Sequence, residues 1–201
     1  QYLPEILTIF NKAAVEVCEG QQYDMDFETM DNVSIDDYLK MIELKTAVLL
    51  AASLKIGAVL AEAKTDDANH IYEFGKNLGI AFQLMDDILD LYGDPEKFGK
   101  QVGGDVIANK KTYLLLKAQE LAEGNTRKEL EFCLTSTALK NGIKVERVKA
   151  IFNSLGVKKA AIDEMNLFYN TAISHLDSIN ASAEKKSVFE EFAKHLMHRE
   201  N

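Results

Sequence analysis

Apolar residues recur at three- and four-residue spacing along almost the whole chain. Nowhere do Val, Ile or Thr alternate with polar residues over the length of a strand. That pattern predicts helix after helix. A first helix runs from about Leu3 to Glu19 and stops at Gly20, read as a C-terminal cap. An irregular acidic stretch, Gln21 to Asn32, follows. Ser34 with Asp37 three residues later marks a helix start of the capping-box kind, and that helix extends to about Ala63 with Gly57 inside it. Another begins at Asp66 or Asp67 and ends near Gly93-Asp94-Pro95; its part from Ile71 to Tyr92 is apolar on most sides, so it should be central and buried. Residues 93–109 hold four glycines and Pro95 and read as a loop. Shorter helices are expected at about 110–122, 125–139, 144–155, 157–179 and 182–199. With no repeat, low-complexity tract or linker, the economical reading is a single all-α domain over 1–201.

Composition narrows the function. With 47% hydrophobic and 27% charged residues the chain is a globule, not a disordered segment. Lys and Arg total 23 against 32 Asp and Glu, a net charge of −9, which argues against nucleic acid and anionic membranes as partners. Cys18 and Cys133 stand far apart, as in a chain from a reducing, cytoplasmic compartment. The longest apolar run, Ala47 to Leu54, is far short of the roughly 20 residues that span a bilayer. The chain starts at Gln1, not Met, and is expected to be a fragment or a processed form.

The informative segment is Phe82 to Asp90. At roughly 100° per residue, Gln83, Asp86, Asp87 and Asp90 share one stripe of the helix, opposite Leu84, Met85, Ile88 and Leu89. No Lys or Arg lies between Lys76 and Lys97 to neutralise these carboxylates locally. A solvated acidic face has that look too, but the apolar surroundings favour a cleft. Cleft carboxylates need a counter-charge, and oxygens on one face suit Mg²⁺. Lys97, Lys100, Lys110 and Lys111 follow, interleaved with Gly99, Gly103 and Gly104. An acidic helix followed by a basic, glycine-rich loop is what a metal–diphosphate site needs. Lys45-Thr46, before an apolar stretch, is a third candidate. His195 and His198 read as a solvated terminus, Lys185, Lys186 and Arg199 as a solvated face, and Phe74, Phe82, Tyr92, Phe132, Phe152 and Phe168 as core.

Gly20-Gln21-Gln22-Tyr23-Asp24, the Lys45-Thr46 helix, Phe82-Gln83 through Asp90, and Gly99-Lys100 through Lys110-Lys111-Thr112-Tyr113 occur in the order and spacing of the trans-isoprenyl diphosphate synthases, the polyprenyl synthetase family. Within it the chain resembles the short-chain farnesyl and geranylgeranyl diphosphate synthases. The Asp86-Asp87-Ile88-Leu89-Asp90 element resembles the family's second aspartate-rich motif, and nothing matches the first. The resemblance implies an isoprenoid-synthase-type helical bundle, incomplete at the N-terminus: the C-terminal two-thirds of a larger catalytic domain. It implies a Mg²⁺-dependent prenyltransferase joining an allylic diphosphate to isopentenyl diphosphate, with these 201 residues inactive by themselves and the parent-length enzyme a homodimer. By resemblance, Asp86, Asp87 and Asp90 serve the metal, with Asp87 either a ligand or a partner through water. Lys45 and Lys100 contact the diphosphate, Lys110 adds charge at the mouth of that substrate pocket, and Thr46 and Gln83 lie near the carbon that becomes cationic. A class I terpene cyclase and a non-catalytic partner subunit are the alternatives.

Overall fold

A computed structural model describes residues 1–94 and 102–197. Among them there is no strand. Helix α1 spans Leu3–Phe27 and α2 Ile35–Ile42; a π-helical turn, Glu43–Ala47, continues without a break into α3, Val48–Leu60. The central helix α4 is Thr65–Tyr92. Then come the one-turn α5, Gly104–Ile107, and α6, Tyr113–Leu121. The remaining helices are α7, Gly124–Thr135; α8, Asn141–Ser154; α9, Val157–Ser178; and α10, Ala183–Met197.

The pattern of the sequence carries most of this. The capping box at Ser34 forms: its hydroxyl accepts from the Asp37 N–H at 3.1 Å, and the Asp37 carboxylate accepts from the Ser34 N–H at 3.0 Å. The Ser34 hydroxyl also donates to Asp37 Oδ2 at 2.6 Å; that bond first, and the Ser34 N–H second, hold the Asp37 carboxyl below the usual carboxylate range. Helix α4 is central as expected, with Phe74, Leu78, Leu84 and Leu91 almost fully buried. It packs along α3 on one side and α9 on the other.

Three expectations are corrected. First, Gly20 does not end α1, and the stretch to Phe27 is helical. Gly20 is buried where α1 crosses the π turn: a Cβ there would lie 2.3 Å from the Lys45 nitrogen and 2.7 Å from its Cα. The missing side chain serves close approach rather than a left-handed cap. Gly79 on α4 plays the same part from the other side, its absent Cβ 2.6 Å from the Ala47 Cα. Second, the expected loop contains α5. Third, Phe132 is 48% exposed under the Arg147 guanidinium, 5.2 Å from the ring centre, not core. The other five aromatics are buried or half-buried. His195 and Lys185 are exposed, and Lys186 donates to the Asp177 carbonyl at the end of α9 at 2.6 Å. Lys97, Gly99, Lys100, His198 and Arg199 lie outside the described residues.

Candidate active site

The π turn puts Lys45 and Thr46 where two walls meet. Its signature is the Val48 N–H donating to the Glu43 carbonyl, five residues back. Such turns recur at functional sites because the extra residue re-aims the side chains within it. Lys45 reaches α1, its ammonium 2.6 Å from Asp24 Oδ2. Thr46 reaches α4, its hydroxyl donating to Gln83 Oε1 at 3.3 Å. Adjacent residues thus tie the turn to both neighbouring helices.

On α4, Gln83, Asp86 and Asp90 are half-buried, whereas Asp87 is only 5% exposed. The Tyr38 hydroxyl donates to Asp87 Oδ2 at 2.5 Å, and the Tyr113 N–H donates to the same oxygen at 3.3 Å. Burial pushes the Asp87 carboxyl up to about 7, with the Tyr38 hydrogen bond opposing. Asp87 therefore lies behind its two neighbours, joining α4 to α2 and α6.

The chain returns to α4 at the far end of the stripe. The Gly103 N–H donates to the Asp90 carbonyl at 2.7 Å, and the Asp105 N–H donates to Asp90 Oδ2 at 3.1 Å. This brings in Asp105, which the sequence reading passed over. The signal was available: Asp105 is the one carboxylate between Lys100 and Lys110. Burial raises its pKa first; Asp90, Asp24 and Asp86 raise it further, while Lys110 lowers it. Lys110 Nζ is 4.0 Å from Asp105 Oδ1. Lys111 turns the other way and donates to the Met30 carbonyl at 2.7 Å, past the end of α1. An open groove of about 700 Å³ lies between Asp24 and Phe27 on one side and Lys110 and Lys111 on the other.

Asp24 of α1 and Asp86 and Asp90 of α4 therefore all bear on Asp105 of α5; Lys45 pairs with Asp24, and Lys110 stands beside Asp105. Among the described residues no three or more His, Cys, Asp or Glu side chains come close enough to enclose a metal ion by themselves. The donor set is all oxygen and carries excess negative charge. That fits Mg²⁺, which keeps several waters and is commonly held by one or two carboxylates plus substrate phosphates. Lys97, Gly99 and Lys100 of the expected basic loop lie outside the described residues.

Comparison with known proteins adds the family. The polyprenyl synthetase family model matches residues 1–155. A short chain isoprenyl diphosphate synthase from Methanocaldococcus jannaschii is 44% identical over 126 residues, 63% of this chain and 38% of that protein. A geranylgeranyl diphosphate synthase from Sulfolobus acidocaldarius is 36% identical over 180 residues, covering 88% of this chain and 53% of the relative. Among solved structures, a geranylgeranyl pyrophosphate synthase superposes with a TM-score of 0.90 at 42% identity, covering 98% of this chain and 61% of that one. The chain spans about half the length of the curated relatives it matches.

Proposed function

The chain belongs to the polyprenyl synthetase family, and from that membership we propose that the protein is a Mg²⁺-dependent trans-prenyltransferase. It joins an allylic diphosphate to isopentenyl diphosphate: the allylic C–O bond breaks and pyrophosphate leaves, a carbon–carbon bond forms, and loss of a proton gives a longer prenyl diphosphate of the farnesyl or geranylgeranyl kind. The observation that carries this reading is the corner where the Asp105 N–H bonds Asp90, Lys110 stands 4.0 Å from Asp105, Lys45 pairs with Asp24, and Thr46 bonds Gln83 on the stripe that carries Asp86.

Asp86 and Asp90 would hold Mg²⁺, and Asp87 would support them from behind. When bound, the metal neutralises the diphosphate and stabilises the charge that builds on it as it leaves. The chain's own residues do the rest. Lys45, paired with Asp24, and Lys110, beside Asp105, supply ammonium groups to the diphosphate, a role the family resemblance also gives to Lys100. Asp24 holds Lys45 in place until substrate arrives. The Thr46 hydroxyl and the Gln83 amide present oxygen dipoles toward the allylic carbon, where positive charge develops. The apolar helices around α4 keep water from that carbon.

Residues 1–201 act as one unit of this enzyme. The protein works in the cytoplasm as a homodimer; no described helix is long and apolar enough to cross a membrane, and α1 exposes Leu3, Leu7 and Phe10 on one face. The test is incubation of the full-length protein with Mg²⁺, geranyl diphosphate and labelled isopentenyl diphosphate. A labelled product five carbons longer, absent with EDTA, is expected. A cyclic hydrocarbon formed from the allylic diphosphate alone would show a cyclase instead.

A further inference from the structure

Helix α8 carries none of the candidate site residues, yet it touches the end of α4 and residues 103–109 at three places. Near its N-terminus Lys144 is only 8% exposed. Its ammonium donates to the Ile107 carbonyl at 3.1 Å and to Asn109 Oδ1 at 2.6 Å. The next residue, Val145, lies under Gly103, where a Cβ would come within 2.6 Å of Val145 Cγ1. One turn on, Lys149 donates to the Leu91 carbonyl at 3.0 Å, directly after Asp90, and sits 5.1 Å from the centre of the Tyr92 ring. The helix therefore grips the chain next to Asp90, at the return onto Asp90, and immediately before Lys110.

The grip before Lys110 is the consequential one. Asn109 has φ +54°, a left-handed conformation that a residue with a side chain holds only when its surroundings require it. Its amide oxygen accepts from Lys144, and its amide nitrogen donates to the Leu134 carbonyl at 2.9 Å. These contacts hold the turn, and the turn decides where residue 110 goes. A buried lysine is costly to keep unless its donors are met. Here two of them are met by the loop itself.

We propose that α8 is a brace for residues 103–109, and that Lys144 is a positioning residue that sets Lys110 against the carboxylates of α4 and α5. The proposal rests on the reading of Lys110 as a diphosphate contact. Lys144 touches neither substrate in this account; it acts through the Ile107–Asn109 turn. Positioning of this kind matters because a misplacement of about 1 Å can lower a rate by about a hundredfold.

The test uses the full-length protein. Lys144→Met keeps the apolar stem and removes the donors. It should raise the KM for the allylic diphosphate about tenfold and change that for isopentenyl diphosphate less than about twofold, with helical content unchanged. A general loss of packing would move both substrates alike. The double variant Lys144→Met with Lys110→Ala should be no worse than Lys110→Ala alone, since one acts through the other. Asn109 is exposed, so Asn109→Gly keeps the left-handed turn available and leaves the core intact. It should reproduce the asymmetry even if the Lys144 variant does not fold. Amide exchange across residues 103–112 should quicken in both single variants. Equal KM changes for the two substrates, additive losses in the double variant, or unchanged exchange would each overturn the brace. If the wild-type protein binds no pyrophosphate with Mg²⁺, the functional reading falls, and the exchange measurement still judges the brace.

Discussion

The two sides of the groove are built by opposite means. Around the π turn, main chain meets main chain: Gly20 of α1 presses on the backbone of Lys45, and Gly79 of α4 on that of Ala47. No flexible atom lies between them, so the place of Lys45 is set as soon as the helices pack. On the α5 side, long side chains do the holding: Lys144, Lys149 and Lys111 each reach a backbone carbonyl. That side can be lost one bond at a time. Helix crossings give a wall little freedom, whereas hydrogen-bonded loops give one that can adjust to a ligand. Substitutions should divide accordingly, affecting stability on the first side and ligand affinity on the second.

The sharpest way to break this contrast is Gly20→Ala. Its new methyl would meet backbone on every near side, so the helices must separate. A loss of more than about 3 kcal/mol is expected in urea unfolding, at the upper end of overpacking effects. A change under about 1 kcal/mol would mean that the crossing has slack. On the other side, Asp90→Asn keeps an oxygen to accept from the Asp105 N–H but removes the charge. Unfolding should be nearly unaffected, while Mg²⁺-dependent turnover drops about a hundredfold; equal activity would remove Asp90 from the metal site. Tyr38→Phe joins the two regions, because it leaves Asp87 with one partner fewer in a buried place. It should cost about 1–3 kcal/mol of stability, read by the same unfolding assay. The smallest effect belongs to the capping box. Ser34→Ala should cost about 1 kcal/mol. Because the folded-state pKa of Asp37 is lowered, its contribution is present at neutral pH and fades as pH falls through that lowered value. The acid limb of the unfolding curve should therefore flatten in Ser34→Ala; an unchanged limb would show that the box adds nothing.

How far the sequence could be read follows from where the information lies. Helices with strong periodicity, α4 above all, were legible, and so was the capping box, because each is local. The true end of α1 was not: Gly20 has the same letter whether it caps a helix or lets another cross it, and only the partner, Lys45, tells which. The π turn was hidden inside a continuous apolar pattern. Motif order pointed to Lys45, Thr46, Gln83, Asp86, Asp90, Lys100 and Lys110; the fold brings all but Lys100, which lies outside the described residues, toward one corner. The sequence stripe put Asp87 beside Asp86 and Asp90, but its burial depends on Tyr38, 49 residues away. Asp105 and Lys144 carry no motif of their own. Their importance comes from what they touch, which spacing alone does not reveal.

The crowding of Asp24, Asp86, Asp90 and Asp105 has a consequence for any attempt to evolve or engineer this protein. Like charges held together cost the ligand-free fold stability and contribute only when cations or lysines are drawn in. Selection for heat resistance without substrate would act against that corner first, and Asp105→Asn is the change most open to it, since its carboxyl is already pressed toward the neutral form. Such a library would return sturdier proteins that have shed their chemistry, the usual trade between stability and activity. On the proposed function, screening in the presence of Mg²⁺ and pyrophosphate should reverse the sign of the pressure, because a bound state would reward the same carboxylates.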